Sequence, residues 1–176
     1  TTWSISVLRR IRDVIGRIRP ENILELGGGI GHRTAWIMDL IDGEIDYLPA
    51  RYTIVEEGSR FGIIIKRLLS RFDAESWADV VVGDPPILCG ETRAWSLAGV
   101  RDVRSPLPES CDCIIIDTSI EKLVPTIESC IPLLSEKGLI ITLEPEVPTG
   151  DKPSDDLTVV GFNAWIECIK SLQTTH

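Results

Sequence analysis

The stretch ILELGGGIGHRTAWI, residues 23–37, decides how the chain is read. An apolar run reaches Glu25 and Leu26 and then meets Gly27, Gly28, Gly29 and Gly31. A segment with helical character follows. Glycines so closely spaced are a poor way to fill a core, but they let a backbone turn tightly and lie against a ligand. A helix starting just after them offers unpaired N–H groups and a partial positive charge. That arrangement suits a phosphate, and equally a carboxylate.

Outward from this point, apolar runs alternate with helical periodicity. Residues 22–26 (NILEL) predict a buried strand, bounded by Pro20 and the glycines. RTAWIMDLI predicts a helix ending at Asp42-Gly43. RYTIVEEG predicts a second strand, and SRFGIIIKRLLSRF a helix that Ser59 could cap. WADVVVGDPP, CDCIIIDT and GLIITLEP predict three further strands. TIESCIPLLSEKG reads as a helix with an irregular break at Pro132. VGFNAWIECIKSL predicts the last helix, after a Pro-, Asp- and Gly-rich loop over 145–156. Residues 3–19 carry Trp3, Val7, Leu8, Ile11, Val14, Ile15 and Ile18 on one helical face, and Pro20 ends that helix. The long connection from Cys89 to Ser110 predicts a short helix at Thr92 to Ala98 and a lid-like segment. Continuous apolar strands alternating with helices mean an α/β fold. The expected form is a single domain over 1–176 with a mainly parallel, doubly wound sheet covered on both faces.

Composition narrows the partners. The chain has 176 residues, 43% of them hydrophobic, which is enough for a sizeable core. No apolar run is long enough to span a membrane, and no signal segment opens the chain. The first residue is not Met, which suggests trimming. The net charge of −9 speaks against broad nucleic-acid binding, although Arg9, Arg10, Arg12, Arg17 and Arg19 crowd the first helix. A homodimer is one way to cover that helix's apolar face; its own domain is another. The five cysteines and two histidines form no zinc pattern. Cys111 and Cys113 are expected on one face of a strand. Reduced thiols point to the cytoplasm.

Ligands of doubly wound sheets sit beyond the carboxyl ends of the strands. Three acids lie at such ends. Glu25 precedes the first glycine by two residues; it would repel a pyrophosphate and attract an ammonium group. Glu56 ends the second strand, where an acid can grip the hydroxyls of a ribose. Asp84 ends the third, in reach of an adenine amino group. A dinucleotide fingerprint of the form Gly27-x-Gly29-x-x-Gly fails at its last position, which is His32. An amino acid joined to an adenosine fits all three acids, and S-adenosylmethionine is such a molecule.

On ILELGGGIG, YTIVEEG, VVVGDPP, CDCIIID and LLSEKGLIIT, in that order, the chain resembles the class I S-adenosylmethionine-dependent methyltransferases from about Asn22 to Leu143. The resemblance implies that Glu25, Gly27 and Gly29 border the methionine part of the cofactor, and Gly28 and Gly31 of the same loop are taken as cofactor-binding with them. It implies that Glu56 holds the ribose and that Asp84 lies beside the adenine. IIIDTSIEKLVPTIESCIPLLSEKGLIITLEP and the Phe-Asn-containing last helix are most similar to the catechol O-methyltransferase-like group. In that group an acid at Asp117 binds a divalent metal together with an Asp-Asn pair after the fifth strand. Here Glu144-Pro145 stands in place of that pair, and the lysine that should follow Asp117 is missing. No metal site is therefore expected, and Asp117 is carried forward as the candidate catalytic residue. The group's closing strand pair is not legible.

DPP also resembles the Asp/Asn-Pro-Pro-aromatic motif of amino-group methyltransferases. It follows the third strand rather than the fourth, and Ile87 comes next, so it reads as a turn. His32 is a candidate base, more often a surface residue at such a place. Trp95 is a candidate stacking platform. The expected function is methyl transfer to a small-molecule acceptor. Three alternatives stay open: a non-catalytic S-adenosylmethionine-binding regulator or partner subunit, an NAD-binding oxidoreductase, and an RNA methyltransferase.

Overall fold

A computed structural model describes residues 2–99 and 105–175. Among these residues, six α-helices and five strands alternate: α1 (Ile5–Ile18), β1 (Asn22–Leu26), α2 (His32–Asp39), β2 (Arg51–Glu56), α3 (Ser59–Arg71), β3 (Ala78–Val82), α4 (Pro85–Ala98), β4 (Cys111–Ile116), α5 (Ile120–Cys130), β5 (Leu134–Thr142) and α6 (Leu157–Thr175). The sheet is parallel throughout, in the order β3-β2-β1-β4-β5. The chain moves outward from β1 to β3, then returns to β4 on the other side of β1. The reversal leaves a crevice between the carboxyl ends of β1 and β4, where a doubly wound sheet takes its ligand.

Strand alternation sends successive side chains to opposite faces. Ile23, Tyr52, Ile54, Cys113 and Ile115 pack with Leu8, Ile11 and Ile15 of α1, Ile37 of α2 and Ile65 of α3. Leu24, Leu26, Val55, Ile114 and Ile116 pack with Cys89 of α4, Leu123 and Ile127 of α5 and Trp165 of α6. The apolar face of α1 therefore lies on its own domain. Ser4 caps that helix, with Val7 N–H donating to its Oγ at 3.4 Å, and Arg19 closes it in the left-handed region at φ 45°.

Several local expectations need correction. DPP is not a free-standing turn: Asp84 is the N-cap of α4, with Pro85 and Pro86 in its first turn. Proline suits that position because its fixed φ is already helical and its missing N–H would have had no partner. The helix expected at Thr92 to Ala98 thus starts seven residues earlier. Residues 100–104 of the lid-like segment lie outside the described residues. Ser59 is the first residue of α3, and the cap position is Gly58. α5 ends at Cys130, a 3-10 turn spans Ile131–Leu133, and LSEKG already belongs to β5. Cys111 and Cys113 fall into different cores, because the β4–β5 register slips between them. α2 runs on into a π-helical turn, Leu40–Glu44.

The glycine loop fixes the crevice. Gly27 has φ 97°, and a Cβ there would collide with the backbone carbonyl of Asp117. At Gly28 a Cβ would lie 2.6 Å from Ile54 Cγ2 and from Ile65 Cδ1. The missing side chain of Gly27 lets the β1 and β4 ends approach this closely, and that of Gly28 lets the loop lie against β2 and α3. Gly27→Ala should lower unfolding stability by about 2–5 kcal/mol, from a strained φ together with steric overlap. A shifted urea midpoint with unchanged slope is the expected reading.

Candidate functional site

The buried charges of the site converge on Arg33, the second residue of α2. Its side chain is 5% exposed. Nη2 donates to Asp117 Oδ2 at 2.7 Å and to the Gly27 carbonyl at 3.2 Å, and Nε lies 3.5 Å from Glu25 Oε2. The guanidinium sits beneath the Trp3 ring, 4.2 Å from its centroid. Cation–π contact, two carboxylates and a carbonyl thus hold one cation over the switch point.

Glu25 points inward from β1 and is fully buried. Its Oε1 accepts from Thr34 Oγ1 at 2.8 Å and from the Tyr52 hydroxyl. The cation it meets is the chain's own Arg33. Burial pushes the Glu25 carboxyl up, against the opposing pull of Arg33, and the Asp117 charge adds to the rise. Enclosure outweighs the attraction of Arg33, so the direction at Glu25 is set by burial.

Glu56 ends β2 and is 8% exposed. Gly29 N–H donates to its Oε1 at 2.9 Å and Gly58 N–H to its Oε2 at 2.6 Å. The carboxylate thereby ties the glycine loop to the start of α3. Each oxygen keeps a second lone pair, so a ligand hydroxyl can still donate to it. Gly31, at φ 87°, is the N-cap of α2 and makes no side-chain capping bond.

Asp84 stands apart from this cluster. It accepts from Ile87 N–H at 3.3 Å and pairs with Lys122 Nζ at 2.8 Å; Lys122 also binds Glu57. The Lys122 hydrogen bond is the main reason why its carboxyl is held below the ordinary value of 3.8.

Two cavities meet at Asp117. One, about 220 Å³, is lined by Trp3, Gly28, Gly29, His32, Arg33 and Asp117. The other, about 370 Å³, is lined by Trp3, Asp117, Thr118, Glu144, Lys152 and Thr158, among others. Asp117 is 35% exposed, and no described residue donates to its Oδ1. The Thr118 hydroxyl is buried without a partner. His32 is exposed at the first cavity. Trp95 sits half-buried on α4 and lines neither.

The structure brings Glu25, Gly27, Gly28, Gly29, Glu56 and Asp117 together and leaves Asp84 at a separate ion pair. Arg33 and Lys122 were not singled out from the sequence, and Trp3, expected on the face of the first helix, lies before its N-cap Ser4. A cation two residues after the glycine loop, in a chain with acids at the ends of four strands, was the available signal for Arg33. Burial pushes the Cys89, Cys111 and Cys113 thiols up to about 12, which leaves them poor nucleophiles. All five cysteines are free.

The residues do not fit the divalent metal that the resemblance implies. Asp117 already shares Oδ2 with a guanidinium, and Pro145 has no donor atom in its side chain. Among the described residues, no three His, Cys, Asp or Glu side chains are grouped to hold a metal ion.

Two outcomes follow from this geometry. Glu25→Ala would leave the Thr34 and Tyr52 hydroxyls buried without their acceptor and take away the carboxylate paired with Arg33, and should cost about 3–5 kcal/mol in chemical unfolding. For Asp84 the folded pKa is depressed. Its stabilising contribution is therefore present above 3.8 and lost as pH falls through the lower folded value. The melting temperatures of wild type and Asp84→Asn should accordingly converge on acidification below 3.8.

No family model matches the chain, and no curated protein matches it in sequence. Solved structures do match in fold. An O-methyltransferase from Bacillus cereus, in complex with SAH, is 21% identical over 97% of this chain and 71% of its own, with a TM-score of 0.70. The O-methyltransferase TomG from Streptomyces achromogenes, involved in tomaymycin synthesis and in complex with SAM, is 15% identical over 97% and 70%, at 0.68. The SAH-bound methyltransferase PaMTH1 from Podospora anserina is 12% identical over 98% and 71%, at 0.67. The chain has the Rossmann-like fold of these S-adenosylmethionine-dependent methyltransferases.

Proposed function

We propose that the chain binds S-adenosylmethionine at the glycine loop and transfers its methyl group to a small-molecule acceptor. The observation that carries this is the pair of cavities that share Trp3 and Asp117 at the carboxyl ends of β1 and β4. The smaller one takes the methionine part, between Gly28, Gly29 and Arg33. Glu56 receives the ribose hydroxyls on its remaining lone pairs, and Asp84 borders the adenine. The larger one takes the acceptor. Structures of the same fold are described with SAH or SAM bound, which supports this choice of cofactor.

Transfer needs little from the protein beyond alignment in a dry site, because the sulfonium is already reactive. The acceptor's lone pair attacks the methyl carbon while the carbon–sulfur bond breaks. Sulfur keeps that electron pair and becomes a neutral thioether. A proton carried by the acceptor atom leaves to Asp117 or to water. Glu25 contributes from behind, by holding Arg33 and Tyr52 in place.

No described helix is long and apolar enough to cross a membrane. Five free, buried thiols support a reducing compartment such as the cytoplasm. The net charge of −9 favours a small acceptor over a nucleic acid. A second copy of the chain is not needed to cover α1.

Calorimetric titration with S-adenosylhomocysteine tests the reading. Binding should be clear, and absent for NAD. Glu56→Ala should weaken it roughly 10–100-fold, equivalent to about 1.4–2.7 kcal/mol of lost hydrogen bonding and loop tethering. Equal binding of NAD, or indifference to Glu56→Ala, would overturn the cofactor assignment. Binding without methylation of any small molecule offered would favour a non-catalytic sensor.

A further inference from the structure

The Asp117 carboxylate lies at the junction of the two cavities, where a transferring methyl group would pass if the proposed function holds. Something must balance its charge there. In this chain the balance comes from within: Arg33 Nη2 donates to Oδ2 at 2.7 Å and Nη1 at 3.2 Å. Arg33 is itself locked by the Gly27 carbonyl, by Glu25 and by the Trp3 ring. A guanidinium so enclosed cannot swing away without leaving Glu25 buried and uncompensated.

We infer that Arg33 is the resident counter-ion of Asp117, and that the site works on an acceptor whose nucleophilic atom needs no metal to be unmasked. This inference rests on the methyl-transfer reading above. Three observations point the same way. A divalent cation bound to Asp117 would sit against a fixed positive charge on the same oxygen. The next expected ligand position is Pro145, which offers no donor. Glu144 lines the larger cavity but is exposed, and no third acid or histidine joins it and Asp117 among the described residues. With Oδ2 engaged, Oδ1 is left to accept a hydrogen bond from the acceptor. The substrates that suit such a site are small molecules whose nucleophile has its lone pair available near neutral pH, such as a neutral amine or a readily ionised thiol or phenol. An alcohol or weakly acidic catechol that relies on a Lewis acid does not suit it.

The experiment uses the full chain and two probes. Free Mn²⁺ is followed by its electron paramagnetic resonance signal, with and without S-adenosylhomocysteine. In wild type the signal should stay undiminished at millimolar metal, and calorimetric binding of S-adenosylhomocysteine should be the same with and without EDTA. Thermal melting is then compared for R33M, D117N and the double variant. Each single substitution should lower Tm by several degrees, and the double should lose clearly less than the sum, as two partners of one interaction do. Depletion of free Mn²⁺ by wild type, reversed in D117N, would overturn the inference, and so would strictly additive melting shifts. Should R33M fail to fold, the Mn²⁺ comparison of wild type with D117N still decides. Failure of S-adenosylhomocysteine to bind would count against the cofactor reading alone, since the metal and melting results bear on Arg33 independently.

Discussion

A single guanidinium organises the carboxyl end of this sheet. Arg33 reaches from the first turn of α2 to a carboxylate at the end of β1, a carboxylate at the end of β4 and a carbonyl in the glycine loop. Those three groups belong to the two strands that flank the topological switch point. Without a cation between them, the fully buried Glu25 and the partly exposed Asp117 would be like charges close together with nothing to offset them, which is costly. The glycines bring the backbones together, and Arg33 makes that closeness electrostatically tolerable. The Trp3 ring stacks on the cation. The two cavities take their shape from this one cluster.

Glu25 shows how a strand-end acid can be read correctly in place and differently in role. Its position two residues before Gly27 led to a role facing an ammonium group. Alternation along β1, however, puts it on the same face as Ile23, beneath α2, where Thr34 and Tyr52 close over it. A cation does neutralise it, but one supplied by the chain. Glu56 is the converse case. It lies at the strand end as expected, and its tie to Gly29 adds a duty that spacing alone does not reveal, since residues 27 positions apart meet only once β1 and β2 are paired.

The strands were legible because buried parallel strands are written as unbroken apolar runs. The helix termini were less so. Two prolines after Asp84 read as a break, although the same residues are well suited to start a helix. Ser135, Glu136 and Lys137 read as a helical surface, yet they belong to the edge strand β5, whose polar start is compatible with solvent on one side. Arg33 escaped because its partners come from positions 8 and 84 residues away. No local pattern announces a contact of that range. The Lys122 bridge to Glu57 and Asp84 escaped for the same reason.

The shared cation also constrains how this sequence can change. Loss of either acid leaves Arg33 with a poorer partner set, and loss of Arg33 strands a fully buried carboxylate. No one of the three can be replaced at small cost while the others stay. Positions 25, 33 and 117 therefore form one heritable unit: viable descendants of this chain would keep the trio or exchange its members in concert. A substitution at one of them in a natural variant would be expected to travel with a second.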